Sequence, residues 1–332
     1  MKEEGTLTGK RAGNRAIGFR KGLSNIYKRY GIVIIFILMF MISALLSDKF
    51  LKPSNLFNIV RQNAHIVILA CGITMLIVTG MIDLSAGANM TLAGCLAAGV
   101  MVATNNIILC IATGVFVGGS IAWINGYLIT KFNLQPFIST LAIKYVIYGF
   151  ILLYTGSLPI LGMGPAMIWL GQGYIGPIPV PIILMFLFLA ITYVIMRYTK
   201  LGLYFYAIGG NSNAALASGI NVNRQKRKVF FIHGMLAGFA GVVLMSRLNA
   251  GQPAIADAGV EFDAIIAAVV GGTSMRGGIG TVMGTLIGAL IVGMINNVLI
   301  LMGVPVAVQY VTKGMLIAGA VILDTITRKM RT

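Results

Sequence analysis

The stretch GTVMGTLIGALIVGMINNVLILM, residues 280–302, contains no charged residue. An α-helix needs about 20 predominantly apolar residues to cross the hydrocarbon core of a bilayer. This stretch is long enough, and its most polar side chains are two adjacent asparagines, Asn296 and Asn297. It therefore predicts a membrane-spanning helix.

The whole chain shares this apolar character. Of its 332 residues, 58% are hydrophobic and only 10% are charged, whereas soluble domains carry about 25% charged residues. So few charges cannot cover a water-facing surface. The composition predicts an integral membrane protein and disfavours a large soluble helical protein.

Apolar runs recur along the chain and predict ten spans: 31–47, 64–80, 87–103, 107–130, 136–154, 181–196, 229–245, 262–272, 280–302 and 306–325. The eighth is too short to cross alone, so it is expected to be tilted, broken or re-entrant. The predicted fold is an all-α polytopic membrane protein with about ten transmembrane helices, some of them broken or short. One transmembrane domain, 31–325, lies between a basic segment, 1–30, and a tail, 326–332.

The basic residues predict the orientation. If the ten spans alternate, nineteen of the 25 Lys and Arg residues lie on one side and only four on the other. Cytoplasmic flanks of spans carry an excess of Lys and Arg. Both termini and the loop 199–228 are therefore predicted to be cytoplasmic. Because these flanks explain the net charge of +17, no nucleic acid is predicted as a partner.

A polar stretch within that loop, YAIGGNSNAALASGINVNRQKRK at 206–228, stands out from the apolar chain. Its helix breakers and caps follow in order: Gly209, Gly210, the N-cap Asn211 and the C′ residue Gly219. They predict a short capped helix over 212–218. Because so short a helix is marginal in water, it either docks on a partner or is only a connecting turn.

Asp83 interrupts the apolar run MIDLSAG at 81–87. A carboxylate at membrane depth costs several kcal/mol unless it is satisfied or lies in a wet cavity. Two compatible interpretations follow. Asp83 or Ser85 caps a helix that begins near Ala86, or a broken helix at this point lines a permeation path.

Gly280, Gly284 and Gly288 form a GxxxGxxxG pattern. Small residues on one helix face let another helix approach closely. The pattern predicts tight helix packing, and it leaves open whether the contact is fixed, moving or dimeric.

No catalytic or metal-binding constellation is present in the sequence. The chain has two histidines and few carboxylates, and its three cysteines lie inside apolar stretches. No GxxxxGK[ST] nucleotide-binding loop occurs either. We therefore predict no enzyme activity, no cofactor and no metal.

Four ordered blocks resemble the permease subunits of ABC importers, in the ribose/xylose/arabinose/galactoside branch. They are MIDLSAG at 81–87, QPFISTLA at 135–142, the pattern YAIGGN…AA…SGINV at 206–222 and EFDAIIAAVVGGTSMRGGIGTVMGTLIGALIVGMINN at 261–297. Leu203 and Leu216 stand where the family often has basic residues, and Met81 stands where Gly is common. The two leucines weaken any expectation of salt bridges to a partner.

The resemblance implies a multi-pass permease subunit of a bacterial inner membrane that imports a simple sugar, such as a ribose-type monosaccharide, by alternating access. It implies three partners: a separate ABC ATPase, an extracytoplasmic substrate-binding protein, and a second permease copy that is identical or a close paralogue. ATP hydrolysis is expected in the ATPase subunit.

The resemblance suggests the coupling residues, and the polar and aromatic side chains in or beside the spans suggest the pathway residues. Coupling to the ATPase is expected from Gly209, Gly210, Asn211, Ala214, Ala215, Ser218 and Gly219, with Ala214, Ala215 and Ser218 forming a small face toward the partner. Candidate pathway residues are Asp83, Ser85, Asn89, Phe137, Tyr148, Asn296 and Asn297. For the asparagines and aromatics, interhelical hydrogen bonds and core packing are the competing interpretation. Lys144 and Lys313, inside spans, either snorkel to an interface or face the cavity.

The competing function is an ion-coupled secondary transporter of a small polar solute. It requires buried acidic residues on several spans. Only Asp83 is a clear candidate, with Asp263 and Asp324 near span ends, and this scarcity disfavours the alternative.

Overall fold

The computed structural model describes residues 31–329, and this part of the chain is largely helical. Its helices are α1 Gly31–Leu46, α2 Pro53–Val78, α3 Ala86–Thr104, α4 Ile107–Phe132, α5 Pro136–Thr155, α6 Gly164–Gln172, α7 Val180–Tyr198, α8 Lys200–Gly210, α9 Ser212–Ala217, α10 Val222–Leu248, α11 Val260–Val270, α12 Val282–Leu301 and α13 Val306–Lys329. A hairpin of β1 Tyr174–Ile175 and β2 Ile178–Pro179 precedes α7, and a 3₁₀-helix, Pro253–Asp257, precedes α11.

Each predicted span overlaps one of these helices. Among the described residues, seven helices are long and apolar enough to cross a membrane, namely α2, α3, α4, α5, α7, α10 and α12. The helices α1, α11 and α13 lie outside this set. The predicted basic segment, 1–30, and the last three residues of the predicted tail lie outside the described residues.

The loop predicted over 199–228 is mostly helical. Thr199 begins α8 through a side-chain cap on Gly202 N, and Asn221 accepts a hydrogen bond from Arg224 N at the start of α10. The basic cluster that follows thus lies on the first turns of α10, before the predicted start at residue 229. Hydropathy marks where a helix enters lipid, and this helix begins earlier, outside the apolar zone. The sequence also missed α6 and the β-hairpin within 156–180.

The centre of the molecule is formed by α2 and α10, which are both mostly buried. They approach closely where Gly72 faces His233, since a Cβ on Gly72 would lie 2.5 Å from His233 Nδ1. On its other side α10 approaches α4, where a Cβ on Gly118 would lie 2.7 Å from Gly238 Cα. Such small residues let helix backbones come together in a membrane protein.

The predicted eighth span, 262–272, corresponds to the short helix α11, which follows a 3₁₀-helix and irregular backbone. Gly251 pairs with Ile160 and lies beside Ala98, near the C-terminal end of α3. Ten residues later, Glu261 packs on Gly87 at the N-terminal end of α3. Ala98 and Gly87 are about 16 Å apart at 1.5 Å per helical residue. Residues 251–259 therefore run along α3, from its C-terminal end towards its N-terminal end, as a 3₁₀-helix and irregular backbone, and α11 begins where they end.

The GxxxGxxxG face packs within the chain. A Cβ on Gly284 would overlap the Gly271 carbonyl, and one on Gly288 would overlap the Ala267 carbonyl, so α12 lies directly against α11. Gly280 sits beside Thr273 and Val78, since a Cβ there would lie 2.8 Å from each side chain. The three glycines thus lie in close contact with α11, the residues that follow it, and α2.

Candidate functional site

The short helix α9 carries the caps that the sequence predicts. Asn211 Oδ1 accepts hydrogen bonds from Asn213 N and Ala214 N, both at 3.0 Å. At the other end Gly219 has φ +82°, a left-handed conformation that favours glycine. The helix ends one residue earlier than expected, at Ala217.

The exposed face of α9 differs from the predicted one. Ala215 is only 4% exposed and packs against Ile208 of α8 and Val222 of α10. Ala214 and Ser218 are exposed, together with Leu216 at 62%. The inclusion of Ala215 in a partner-facing surface is therefore wrong for this structure. The left-handed turn at Gly219 folds the chain back, which places Ala215 between the flanking helices.

A set of close glycine contacts, which we call the glycine junction, holds α8 against the spans. It consists of Gly80, Gly209, Gly277 and Gly278. A Cβ on Gly277 would lie 2.9 Å from both Gly209 Cα and Gly80 N, and one on Gly209 would overlap the Val78 carbonyl. The junction thus joins the end of α8 to the end of α2 and to the loop between α11 and α12.

Hydrogen bonds reinforce the glycine junction. Gly278 N donates to Val78 O at 2.8 Å, and Tyr206 Oη donates to Gly280 O at 2.7 Å. Burial raises the pKa of Tyr206, with nearby Arg197 opposing the shift, so the phenol stays protonated and remains a donor. The last turns of α8, just before α9, are thereby connected to the end of α2 and to Gly280, which precedes α12.

Asp83 lies in a fully buried polar cluster. Its Oδ1 accepts hydrogen bonds from Ser85 N at 2.7 Å and Ser85 Oγ at 2.6 Å, and its Oδ2 lies 3.3 Å from His233 Nε2. Ser85 Oγ in turn accepts from Asn125 Nδ2 at 2.8 Å, and Leu84 N donates to Thr140 Oγ1 at 3.0 Å. The non-helical segment before α3 is thereby tied to α4, α5 and α10.

These contacts refine the two interpretations of Asp83. The helix α3 does begin at Ala86, but Ser85 makes no side-chain cap hydrogen bond. Asp83 instead closes a turn on Ser85 and faces His233. Neither His233 nor Asn125 was singled out as its partner from sequence, because both lie on helices distant in the chain.

Two lysine–carboxylate pairs anchor the first turn of α11. Lys144 Nζ of α5 lies 2.5 Å from Glu261 Oε1, and Glu261 is fully buried. Lys313 Nζ of α13 lies 2.9 Å from Asp263 Oδ2. The two lysines predicted either to snorkel or to face the cavity therefore pair with acids. Glu261 was not among the predicted buried acids, so the apparent scarcity of such residues was overstated.

The remaining candidate pathway residues do not form one site. Asn89 Nδ2 donates to Gly118 O at 3.0 Å, while Asn297 and Asn55 exchange two hydrogen bonds at 2.9 and 3.0 Å. Asn55 lies at the start of α2 and Asp83 follows its end, about 35 Å away at 1.5 Å per residue. The interhelical interpretation is thus confirmed for Asn89 and Asn297.

Three candidates keep accessible surface. Phe137 is 49% exposed at the start of α5, and Asn296 is half-buried on α12. Tyr148 is half-buried against Ala88 and Leu92 of α3.

The comparisons with known proteins converge on one kind of protein. Residues 55–321 match the family described as branched-chain amino acid transport system / permease component. The chain is 45% identical to ribose import permease protein RbsC of Bacillus subtilis (strain 168), over 87% of this chain and 90% of the relative. It is 37% identical to RbsC of Escherichia coli (strain K12), over 88% and 92%. It is 32% identical to L-arabinose ABC transporter permease protein AraH of Azospirillum brasilense, over 94% and 92%. No solved structure matches it.

Proposed function

Because the chain belongs to the family described as branched-chain amino acid transport system / permease component, we propose that it is the transmembrane subunit of an ABC importer for a ribose-type sugar. The relatives are named as ribose and arabinose permeases. The structural observation that carries the proposal is the capped helix α9, seated through the glycine junction on the ends of the spans. An ion-coupled transporter is not supported, and Asp83, Glu261 and Asp263 each lie against a histidine or lysine.

The protein is a multi-pass inner-membrane protein that works with a separate ATPase and a substrate-binding protein. We propose further that a second permease copy, identical or paralogous, completes the pathway. ATP hydrolysis belongs to the ATPase subunit, and this chain supplies the passage.

In the proposed mechanism, closure of the ATPase displaces α9. The displacement passes through α8 and the glycine junction to α2 and α12. The helix α12 packs on α11, and Lys144 and Lys313 connect α11 to α5 and α13. Movement of α12 is therefore proposed to move these helices as well, so that access alternates. Phe137, Tyr148 and Asn296, which keep accessible surface, are proposed to contact the solute at separate points along its path. Asp83, Ser85, Asn89 and Asn297 are proposed to do so only when their present hydrogen bonds open.

Transport by the reconstituted complex tests the function. The permease and its ATPase are reconstituted in vesicles, with ATP in the lumen and the binding protein outside. These vesicles are expected to accumulate labelled ribose. Accumulation should persist when an ionophore collapses proton and sodium gradients. Uptake that follows the ion gradient and ignores ATP would contradict an ABC importer, and uptake of arabinose alone would change only the sugar.

The coupling role of α9 predicts different outcomes for two adjacent alanines. Ala214→Glu is expected to weaken the affinity for the ATPase at least tenfold. The permease itself should stay stable, because Ala214 is exposed. Ala215→Glu is expected to destabilise the permease itself, because it buries a charge between α8 and α10. Co-purification of the ATPase and thermal unfolding of the permease distinguish the two. If Ala214→Glu retains full ATPase binding and ATP-driven uptake, α9 is only a connector.

The proposed topology has ten spans with both termini cytoplasmic, a domain over 31–325 and flanking segments 1–30 and 326–332. A cysteine at Asn223 is expected to react with an impermeant thiol reagent only in inverted vesicles, and one at Leu158 only in intact cells. The three native cysteines are buried and give little background. Labelling of both positions from the same side would contradict this orientation.

A further inference from the structure

An open groove of about 680 Å³ lies between α4, α8 and α10, where α10 leaves the apolar zone. Its apolar floor includes Trp123, Phe231 and Met235, and its rim carries Arg224, Arg227 and Lys228. The rim and floor residues of α10 follow each other at spacings of three and four residues. They therefore form one stripe that runs from the basic end of the helix into the spanning part.

The rim of the groove is an unneutralised concentration of positive charge. Within the described residues, Arg224, Arg227 and Lys228 make no ion pair. The Arg227 guanidinium lies 6.0 Å from the centre of the Tyr127 ring, and Lys131 Nζ of α4 lies 5.2 Å from the same ring. Three cations thus line the groove, a fourth lies beside the ring that Arg227 approaches, and no described carboxylate pairs with any of the three that line it.

We propose that this groove binds an anionic phospholipid, with its phosphate on the basic rim and an acyl chain along the apolar floor. Charge complementarity selects a negative ligand, and basic pockets between spans bind such headgroups. The floor selects an amphipathic ligand, because a soluble anion gains nothing from contact with Phe231 and Met235. Trp123, 45% exposed at this level, suits the headgroup boundary, where tryptophan is enriched.

The position of the groove gives the lipid access to the coupling machinery. Leu201 of α8 also lines it, and α8 ends in the glycine junction. A lipid in the groove would therefore contact the helix that connects α9 to the spans. The inference concerns binding by the permease alone and does not depend on which sugar is imported.

Native mass spectrometry of the purified full-length permease tests the proposal with phosphatidylglycerol and phosphatidylcholine as probes. Wild-type protein is expected to retain phosphatidylglycerol preferentially. The triple variant R224Q/R227Q/K228Q should retain it about 100-fold less, at about fivefold for each basic residue near the membrane surface. The control R197Q/K200Q removes two cations that lie outside the groove lining and should bind like wild type.

Further measurements distinguish the phospholipid from the other possible ligands of the groove, namely a simple anion and a protein. Millimolar inorganic phosphate is expected to leave the lipid bound, because it lacks the acyl chain; full displacement by phosphate would mark a simple anion site and overturn the proposal. Equal retention of both lipids, or equal loss in the triple variant and the control, would also overturn it. If the triple variant keeps lipid but loses the ATPase, the groove is a protein-docking surface and the proposal is wrong. Thermal unfolding confirms that each variant is folded before it is compared.

Discussion

Replacing Gly209 with alanine is expected to reduce ATP-driven uptake at least tenfold, while the same change at Gly210 leaves uptake near the wild-type level. The two glycines are adjacent and both belong to α8. A Cβ on Gly209 would overlap the Val78 carbonyl and lie 2.5 Å from Gly278 N, whereas a Cβ on Gly210 meets no atom within 4 Å. One added methyl group must therefore open the glycine junction in the first variant and touches nothing in the second.

Uptake is measured in vesicles that contain the complete complex, after equal insertion of both permeases has been verified. ATP turnover is recorded in parallel, because an opened junction should let the ATPase hydrolyse ATP without moving the spans. Wild-type uptake by Gly209→Ala would show that α8 does not transmit motion through this contact. Equal loss in Gly210→Ala would point to the flexibility of α8 instead of its packing.

The second large effect concerns the buried pair of Lys144 and Glu261. Lys144→Met is expected to destabilise the folded permease by about 3–5 kcal/mol, because it leaves a fully buried carboxylate without its partner. Replacing both partners, as in K144M/E261Q, should recover much of this loss, since no buried charge then remains. The free energy of unfolding is measured by denaturant titration in detergent.

Lys313→Met serves as the matched comparison. Its pair with Asp263 is more accessible, with side-chain exposures of 20% and 10% against 16% and 0% for Lys144 and Glu261. Water can partly solvate the carboxylate that remains, so the loss should be smaller. If Lys144→Met lowers the free energy of unfolding no more than Lys313→Met does, the burial of Glu261 does not determine how much its ion pair stabilises the protein.

The predicted spans overlap helices because an apolar run of membrane length has few other stable structures. The caps of α9 were equally predictable, since Asn211 and Gly219 act through local backbone geometry. The orientation of α9 was not predictable from sequence. A helix of six residues has no clear apolar face, so the packing of α8 and α10 decides which of its side chains are buried. Ala215 therefore turned out buried, although its sequence surroundings resemble those of exposed Ala214.

Ion pairs between residues that are distant in the chain could not be predicted from the sequence either. Lys144 and Glu261 are 117 residues apart, and nothing in either segment specifies the other. Each lysine could be recognised as unusual inside a span, but its partner depends on where the irregular segment before α11 places that helix. The same holds for Asp83, whose contact with His233 exists only because Gly72 lets α10 approach α2.

The short length of α11 has a consequence for how the chain inserts into the membrane during synthesis. Its 11 helical residues are too few to enter lipid on their own during synthesis, and the irregular backbone before it would leave polar groups unsatisfied in hydrocarbon. Within the described residues, the segment packs against α3, which is synthesised before it, and against α12, which is synthesised after it. The final position of α11 is therefore expected to form only after α12 has been synthesised, because α12 supplies one of the surfaces on which α11 packs.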